Sequence, residues 1–324
     1  MNKAEFLACP TCKGFPLNEN KEGYICTFCS SKFPISMGIP VFLRKNSSIT
    51  AEESSRAEFW DAGWDKRNKN LLSLSRREIL EERNTYLSYL TDEGYPSAID
   101  LSEANVGGKS FLNIGCGGGY EGLLFAGYGT AYIGVDFSHN ALHLTQQLIT
   151  NAGFKAHTFQ CEAEALPFQD GSIDVVYSSG VLHHTPNTEE ALREAFRVLK
   201  PGGMAMIGLY ATYSPMFIWY RLHALIRGNW TKKSMNDWMN ANTEGEWKTE
   251  DRVNLWTKTY NKAQFTRLMK KAGFSNIKIQ QMPQLLENLP ILGKLSKALL
   301  PRSITKMKLG RFGPMLIITC TRKH

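Results

Sequence analysis

Residues 111–122 read Phe111-Leu112-Asn113-Ile114-Gly115-Cys116-Gly117-Gly118-Gly119-Tyr120-Glu121-Gly122, a short apolar strand that runs into a cluster of glycines. In α/β folds, a buried strand followed by a glycine-rich turn and a helix brings main-chain N–H groups close to a ligand. The glycines permit positive φ angles and remove the Cβ atoms that would hold the ligand away. The stretch therefore predicts a ligand-binding loop at the start of an α/β domain.

The glycine cluster fits two kinds of nucleotide ligand. Gly117-x-Gly119-x-x-Gly122 matches a dinucleotide fingerprint, and Asp136 follows at a distance suited to a ribose contact. Counting from Gly115 instead gives Gly115-x-Gly117-x-Gly119, which suits S-adenosylmethionine. The glycine pattern alone leaves both ligands open.

Strand-like and helix-like segments alternate from Lys109 onward, as in a doubly wound parallel sheet. Asn261 and Gln264 predict a capping box for the last helix, which Gly273 ends. The predicted strands are 111–114, 131–136, 156–160, 173–177, 204–209, 277–279 and 315–319. We therefore expect an α/β fold with a Rossmann-like doubly wound sheet of seven strands.

Four of the seven cysteines form two Cys-x-x-Cys pairs, Cys9 with Cys12 and Cys26 with Cys29, separated by thirteen residues. Two such pairs can close a tetrahedral S₄ site around zinc. The alternative, a pair of disulfide bonds, needs an oxidising compartment that no other feature supports. The spacing predicts a small zinc ribbon over residues 1–43, which the metal would help to stabilise.

The predicted ribbon resembles a known protein family. Cys9-Pro-x-Cys12, Cys26-x-x-Cys29, Phe33-Pro34-Ile35 and Gly38-Ile39-Pro40 resemble the small zinc-ribbon activator subunit of transfer-RNA and release-factor methyltransferases. This resemblance covers the whole N-terminal segment.

Residues 109–209 resemble a class I S-adenosylmethionine-dependent methyltransferase, of the type that includes ubiquinone and menaquinone biosynthesis enzymes. Five ordered blocks carry the resemblance: Leu112–Gly119, Gly134–Ser138, Glu162–Val176, Val181–His184 and Arg197–Gly203. The resemblance implies a sheet whose last strand pair is antiparallel, and S-adenosylmethionine rather than a dinucleotide.

The resemblance also implies the residues that bind the cofactor. Asp136 would accept hydrogen bonds from the ribose diol, Phe137 would pack on the adenine, and Glu162 would accept from the adenine amine, with Glu164 as a competitor. Asn113 departs from the family, which usually has an acid there. The full set is Asn113, Gly115, Cys116, Gly117, Gly119, Asp136, Phe137, Glu162 and Ala163.

Three residues just past the fourth strand are candidates for catalysis. Tyr177, His183 and His184 would lie beside the reacting methyl group, and either histidine could deprotonate a hydroxyl acceptor. The alternative is that one of these histidines has a structural role in the cofactor loop.

The chain divides into three predicted parts: the ribbon at 1–43, a helical linker or flap at 44–105, and the methyltransferase domain at 106–324. An insertion at about 210–260 follows the fifth strand. We expect its apolar segment to form a lid, with Phe217 or Trp219 at the acceptor pocket. The alternatives are core packing or a dimer contact. For the aromatic residues of the linker, the two interpretations are packing in the core and a flap over the active site. Core packing is the commoner role of such residues.

The net charge of +8 fits nucleic acid, anionic lipid or a solvated surface. The fourth strand lacks the Asn/Asp-Pro-Pro-aromatic motif of enzymes that methylate exocyclic amines. The apolar insertion and the basic segment 293–311 predict a small hydrophobic or membrane-presented acceptor, with peripheral membrane contact. One alternative is a ribosomal or transfer RNA methyltransferase, because the arrangement of ribbon and methyltransferase domain is similar to that of ribosomal-RNA guanine methyltransferases. The other alternative is a non-catalytic scaffold that binds the cofactor, which Asn113 favours. The start of the chain has no signal-peptide pattern, which predicts a cytoplasmic protein. The sequence leaves the oligomeric state open.

Overall fold

The computed structural model describes residues 6–44, 58–64, 73–93, 95, 100–243, 254, 256–286, 289, 298–299, 301, 304 and 308–323. In the first of these ranges the chain forms an antiparallel sheet that presents the two cysteine pairs. Its strands are β1 (Leu17–Asn20), β2 (Gly23–Cys26), β3 (Lys32–Ser36) and β4 (Ile39–Pro40).

A second sheet, with seven strands among the described residues, forms the centre of the molecule. Its strands are β5 (Ser110–Ile114), β6 (Ala131–Asp136), β7 (His157–Gln160), β8 (Ile173–Ser179), β9 (Leu199–Tyr210), β10 (Ser275–Gln281) and β11 (Met315–Thr321). The spatial order is β10-β11-β9-β8-β5-β6-β7. Strands β5 to β9 are parallel, whereas β11 runs antiparallel to both of its neighbours. The predicted Rossmann-like sheet with an antiparallel last pair is confirmed.

Helices cover both faces of this sheet, which explains why all five residues of β5 are buried. They are α1 (Arg76–Glu93), α2 (Glu103–Val106), α3 (Tyr120–Ala126), α4 (His139–Asn151), α5 (Thr188–Val198), α6 (Pro215–Ile226), α7 (Lys232–Asn242) and α8 (Lys262–Ala272). Residues 58–64 are also helical. The predicted capping box of α8 is confirmed, and Gly273 ends that helix with a φ of 109°.

The ribbon packs on the β7 edge of the central sheet. The Phe42 N–H donates to the Gln160 carbonyl at 2.7 Å, and the Ala8 N–H donates to the Pro167 carbonyl at 3.0 Å. Phe42 also lies in the same hydrophobic core as residues of the central sheet. The ribbon thus covers a strand edge that would otherwise expose unpaired main-chain groups.

Helices α6 and α7 occupy the predicted insertion, directly after β9. Residues 244–253 of the insertion and most of the basic segment 293–311 lie outside the described residues. None of the helices in the described ranges has the length and hydropathy needed to cross a membrane.

Candidate active site and metal centre

A cavity of about 700 Å³ opens where β5, β6 and β8 end. Ligands of open α/β sheets bind at this carboxyl edge, and the volume is in the range of small-molecule pockets. Seven of the residues predicted from the sequence line this cavity: Gly115, Cys116, Gly117, Asp136, Phe137, Ala163 and His184.

The glycine loop is closely packed at the base of the cavity. Gly115 has a φ of 74°, and a Cβ atom there would lie 2.3 Å from the Val181 side chain. Gly117 has a φ of 52°, and a Cβ atom there would lie 2.5 Å from the Trp64 ring. Gly119 precedes α3 with a φ of 87°. The loop therefore needs glycine both for its backbone conformation and for the space around it.

Asp136 connects the glycine loop to the end of β6. Its Oδ2 atom accepts from the Gly117 N–H at 2.9 Å, and its Oδ1 atom accepts from the Ser138 N–H at 2.9 Å. Burial raises the pKa of Asp136 from 3.8 to about 6, and the nearby charge of Asp61 contributes in the same direction. The carboxylate is held rigidly at the cavity wall by two main-chain donors.

The aromatic segment, residues 58–64, closes one side of the cavity. Asp61 accepts hydrogen bonds from the Ser138 hydroxyl and from the Asn140 N–H, which fixes the segment on the first turn of α4. Trp60 and Trp64 line the cavity. The i, i+4 spacing of these two tryptophans places them on one helical face. That spacing is the sequence signal that both would line the same cavity wall.

Two further acids, Glu121 and Glu164, line the cavity together with Asp136. Glu121 accepts from the Tyr86 hydroxyl at 2.9 Å, and Glu164 accepts from the Asn187 N–H at 3.1 Å. Among the described residues that line this cavity there is no lysine or arginine. The cavity therefore favours a cationic ligand over an anionic one. Sequence reasoning missed Glu121, although an acid in the first turn after a glycine loop was a usable signal.

Other predicted site residues lie elsewhere. Asn113 is buried and donates to the Tyr132 hydroxyl at 3.2 Å. Glu162 forms an ion pair with Arg44 at 2.8 Å, so Glu164 and not Glu162 faces the cavity. Gly119 is not among the residues that line the cavity. Tyr177 is buried below the cavity in a cluster with Phe111 and Phe125.

His184 contacts both the cavity and the insertion. Its Nδ1 atom lies 2.7 Å from the Trp256 carbonyl oxygen and 2.8 Å from the Asn254 side-chain amide. A carbonyl oxygen only accepts, so the contact with Trp256 requires a proton on Nδ1. The Oδ1 atom of Asn254 accepts from the Trp256 N–H at 3.3 Å, so Asn254 also holds the segment that contacts His184. In this tautomer Nε2 of the neutral ring carries the lone pair.

His183 lies behind His184 and does not line the cavity. Its ring is fully buried, with its centroid 3.8 Å from that of Tyr210. Neither ring nitrogen has a hydrogen-bond partner among the described residues. Burial lowers the pKa of His183 well below its ordinary value, so the ring is neutral at physiological pH.

The insertion meets the cavity through Tyr210. Phe217 is buried in α6 and its ring lies 4.8 Å from that of Tyr210, which lines the cavity. Trp219 stacks on His223 at 6.1 Å. Neither Phe217 nor Trp219 lines the cavity itself, contrary to the expected direct contact.

The four N-terminal cysteines form a compact cluster with all four sulfur atoms within 4.8 Å of one another. Cys9 and Cys29 are 3.6 Å apart, and Cys12 and Cys26 are 3.5 Å apart. Zinc–sulfur bonds of about 2.3 Å give sulfur–sulfur distances of roughly 3.8 Å in a tetrahedron. The sulfur positions therefore fit one zinc ion.

Comparison with known families agrees with this geometry. Residues 112–207 match the family described as methyltransferase domain. The chain contains a methyltransferase domain. Residues 4–38 match the family described as Trm112p-like protein, in agreement with the predicted ribbon. The predicted methyltransferase class is confirmed, while the ubiquinone and menaquinone subtype stays a prediction.

Similar proteins include two uncharacterized mycobacterial methyltransferases. That of Mycobacterium marinum is 34% identical over 34% of this chain and 43% of its own length. That of Mycobacterium sp. strain JLS is 30% identical over 46% of this chain and 59% of its own length. The chain thus spans about half the length of these relatives.

Among solved structures, phosphoethanolamine N-methyltransferase 2 of Haemonchus contortus, in complex with S-adenosyl-L-methionine, is similar to the methyltransferase domain. It is 18% identical over 68% of this chain and 50% of that chain, with a TM-score of 0.46. A complex between the Haloferax volcanii Trm112 methyltransferase activator and a methyltransferase is 16% identical over 78% of this chain and 100% of that chain, with a TM-score of 0.48.

Proposed function

We propose that this protein transfers a methyl group from S-adenosylmethionine to a small apolar acceptor. The observation that carries the proposal is the charge of the cavity in the methyltransferase domain: three carboxylates and no described lysine or arginine among the lining residues. A dinucleotide would bring its anionic pyrophosphate against these acids. S-adenosylmethionine instead carries a cationic sulfonium, which activates the methyl group, and an ammonium group.

Each polar part of the cofactor has a matching residue in the cavity. Asp136 is suited to the ribose diol because a carboxylate accepts two hydrogen bonds. Glu121, at the start of α3, is suited to the ammonium group. Glu164 is better placed than Glu162 for the adenine amine, since Arg44 already pairs with Glu162. Aromatic faces also attract cations, and Trp60 and Trp64 both line the cavity.

We assign His184 as the group that removes a proton from an acceptor. Its Nδ1 proton is held by the Trp256 carbonyl, so Nε2 is the basic atom. The rings of Trp60 and Tyr210 lie 5.4 Å and 5.5 Å from the His184 ring. These rings supply apolar walls beside the candidate base and favour a small apolar acceptor over a polar one.

A calorimetric titration tests cofactor binding. We expect S-adenosylmethionine and S-adenosylhomocysteine to bind and NAD not to bind. Asp136→Ala should weaken binding by about 1–3 kcal/mol, because a charged acceptor is lost. Asp237→Ala, which changes an exposed acid on α7, is the matched control. Binding of NAD, or unchanged affinity of Asp136→Ala, would contradict the proposal.

Transfer of a labelled methyl group to candidate acceptors tests the reaction itself. We expect the labelled methyl group to appear in an organic-solvent extract of cell lipids and apolar metabolites. The variant His184→Ala should bind the cofactor with unchanged affinity but transfer no label to this extract. A second candidate function is methylation of RNA or protein, which the Trm112p-like match over residues 4–38 favours. Label in the RNA or protein fraction would support that function in place of an apolar acceptor.

We also propose that Cys9, Cys12, Cys26 and Cys29 bind one zinc ion as thiolates. The support is the cluster of sulfur atoms, together with the fit of their distances to a tetrahedron. The metal has a structural role in this proposal, because it stabilises the ribbon that covers the β7 edge.

A further inference from the structure

Helix α6 exposes a continuous apolar stripe. Ile218, Leu222 and Ile226 follow one another at i, i+4 spacing and are 53%, 48% and 69% exposed. Trp230, just beyond the helix, is 74% exposed. The opposite face of α6 carries the fully buried Phe217. Scattered apolar residues are ordinary on a protein surface, whereas a stripe of this kind marks an interaction site.

The stripe lies within a stretch that carries only positive charge. Residues 213–236 contain no aspartate or glutamate. Arg227, Lys232 and Lys233 are exposed, and none of them forms an ion pair with another residue that the structure describes. Apolar side chains, an exposed indole and several cations within one short stretch of chain are the features of a segment that lies in the interface of an anionic bilayer.

We propose that the exposed stripe of α6, Ile218, Leu222 and Ile226, docks on an anionic lipid bilayer. Trp230 and the cations Arg227, Lys232 and Lys233, which lie between the end of α6 and the first turn of α7, would contact the same bilayer. The twelve residues of α6 are too few to cross the hydrocarbon core, so the helix would lie along the surface. The apolar stripe would enter the boundary between headgroups and acyl chains, and the cations would contact the headgroups.

Two other occupants fit this surface less well. In a two-fold symmetric dimer the same patch of each copy faces the other, which brings the two sets of cations together. Such like-charge contacts disfavour binding. An RNA backbone would satisfy the cations but would leave Ile218, Leu222 and Ile226 against phosphate groups.

The docked helix would lie beside the cavity of the methyltransferase domain. Phe217, on the inner face of α6, packs on Tyr210, and Tyr210 lines the cavity. Membrane docking would therefore bring the cavity to the lipid surface, where an apolar acceptor is concentrated. This consequence rests on the proposed function, whereas the docking itself does not.

Vesicle co-sedimentation of the full chain tests the docking. We expect binding to phosphatidylcholine vesicles that contain phosphatidylserine, weak binding to phosphatidylcholine alone, and weaker binding at high salt. Neutralising Arg227, Lys232 and Lys233 with glutamine should weaken binding to the anionic vesicles roughly 100-fold, at about fivefold per cation. The triple variant Ile218→Ser, Leu222→Ser, Ile226→Ser should also lose most binding at unchanged charge.

The charge-matched control is Lys262→Gln, Arg267→Gln, Lys270→Gln on α8, which should bind vesicles almost as the unaltered chain does. Far-ultraviolet circular dichroism and thermal unfolding of each variant verify that the fold is intact. Equal vesicle binding by the α6 and α8 variants would overturn the proposal. A dimer that the serine variant dissociates, with no vesicle binding, would assign the surface to self-association. Binding of an RNA that depends on the cations alone would also overturn it.

Vesicle binding needs neither cofactor nor turnover, so the two proposals fail separately. A chain that binds anionic vesicles but not S-adenosylmethionine would refute the proposed function and leave the docking intact. A chain that binds the cofactor but not the vesicles would refute the docking and leave the proposed function intact.

Discussion

Replacing Asp136 by asparagine should stabilise the protein while it weakens cofactor binding. Burial raises the pKa of this carboxyl from 3.8 to about 6. Between these pH values the folded state holds a proton that the unfolded state has lost. The free energy of unfolding therefore falls as the pH rises through this window, and the full cost of the buried charge is present above pH 6.

The size of the effect follows from the shift in pKa. About two pKa units correspond to roughly 3 kcal/mol at alkaline pH. Asparagine has one carbonyl oxygen, so it can accept from Gly117 or from Ser138 but not from both through separate oxygens. Loss of one such hydrogen bond costs about 1 kcal/mol. We expect Asp136→Asn to raise the free energy of unfolding by about 1–2 kcal/mol at pH 8.

Urea unfolding at pH 8 and at pH 4.5 measures this difference. The stabilisation of Asp136→Asn over the unaltered chain should shrink or reverse at the lower pH, because Asp136 is then largely protonated in the folded state. Asp237→Asn, on an exposed position of α7, is the control and should change stability by less than about 0.5 kcal/mol at either pH. A variant that is less stable at pH 8, or equally stabilised at both values, would refute the reasoning.

Three other changes test separate parts of the molecule. Cys26→Ser should lower the zinc content below one ion per chain by metal analysis and reduce the melting temperature, and an unchanged metal content would contradict the tetrahedral site. Gly119→Ala should lower the free energy of unfolding by about 1–3 kcal/mol in urea, because φ is 87° and the new Cβ atom would lie 2.9 Å from the Thr145 Cα atom. Asn254→Ala should lower turnover and shift its pH profile with little change in cofactor affinity, because Asn254 contacts Nδ1 of His184. An equal loss of affinity and turnover would assign Asn254 a purely structural role.

Local sequence patterns predicted the central sheet because each of its strands carries its own signal. The strand from Ser110 to Ile114 is mostly apolar, with Gly108 two residues before it and Gly115 directly after it, and the helix after Asn261 carries a complete capping box. Such signals depend on a few neighbouring residues. The positions of Gly115, Gly117 and Asp136 were predictable for the same reason, since the end of a parallel strand fixes where the next residues lie.

Tertiary contacts determine the positions of the residues that the sequence predicted less well. Tyr177 and Ser179 point to the same side of β8 by strand periodicity, yet only Ser179 lies at the end of the strand and lines the cavity. Glu162 is one residue from the cavity-lining Ala163, but its carboxylate pairs with Arg44, which directly follows the ribbon. That ion pair spans 118 positions in the sequence. No local pattern contains it.

The surroundings of Asn113 explain why this position holds an amide where the family usually has an acid. Asn113 donates to the buried Tyr132 hydroxyl. Burial raises the pKa of Tyr132 well above its usual value, and the charges of Glu121 and Asp136 contribute to that increase. A carboxylate at position 113 would add a third negative charge next to these two, in a place that solvent does not reach. Asparagine fills the position without that repulsion, while Glu121 still provides an acid at the cavity wall. The absence of an acid at 113 is therefore compatible with an active enzyme and does not favour a non-catalytic scaffold.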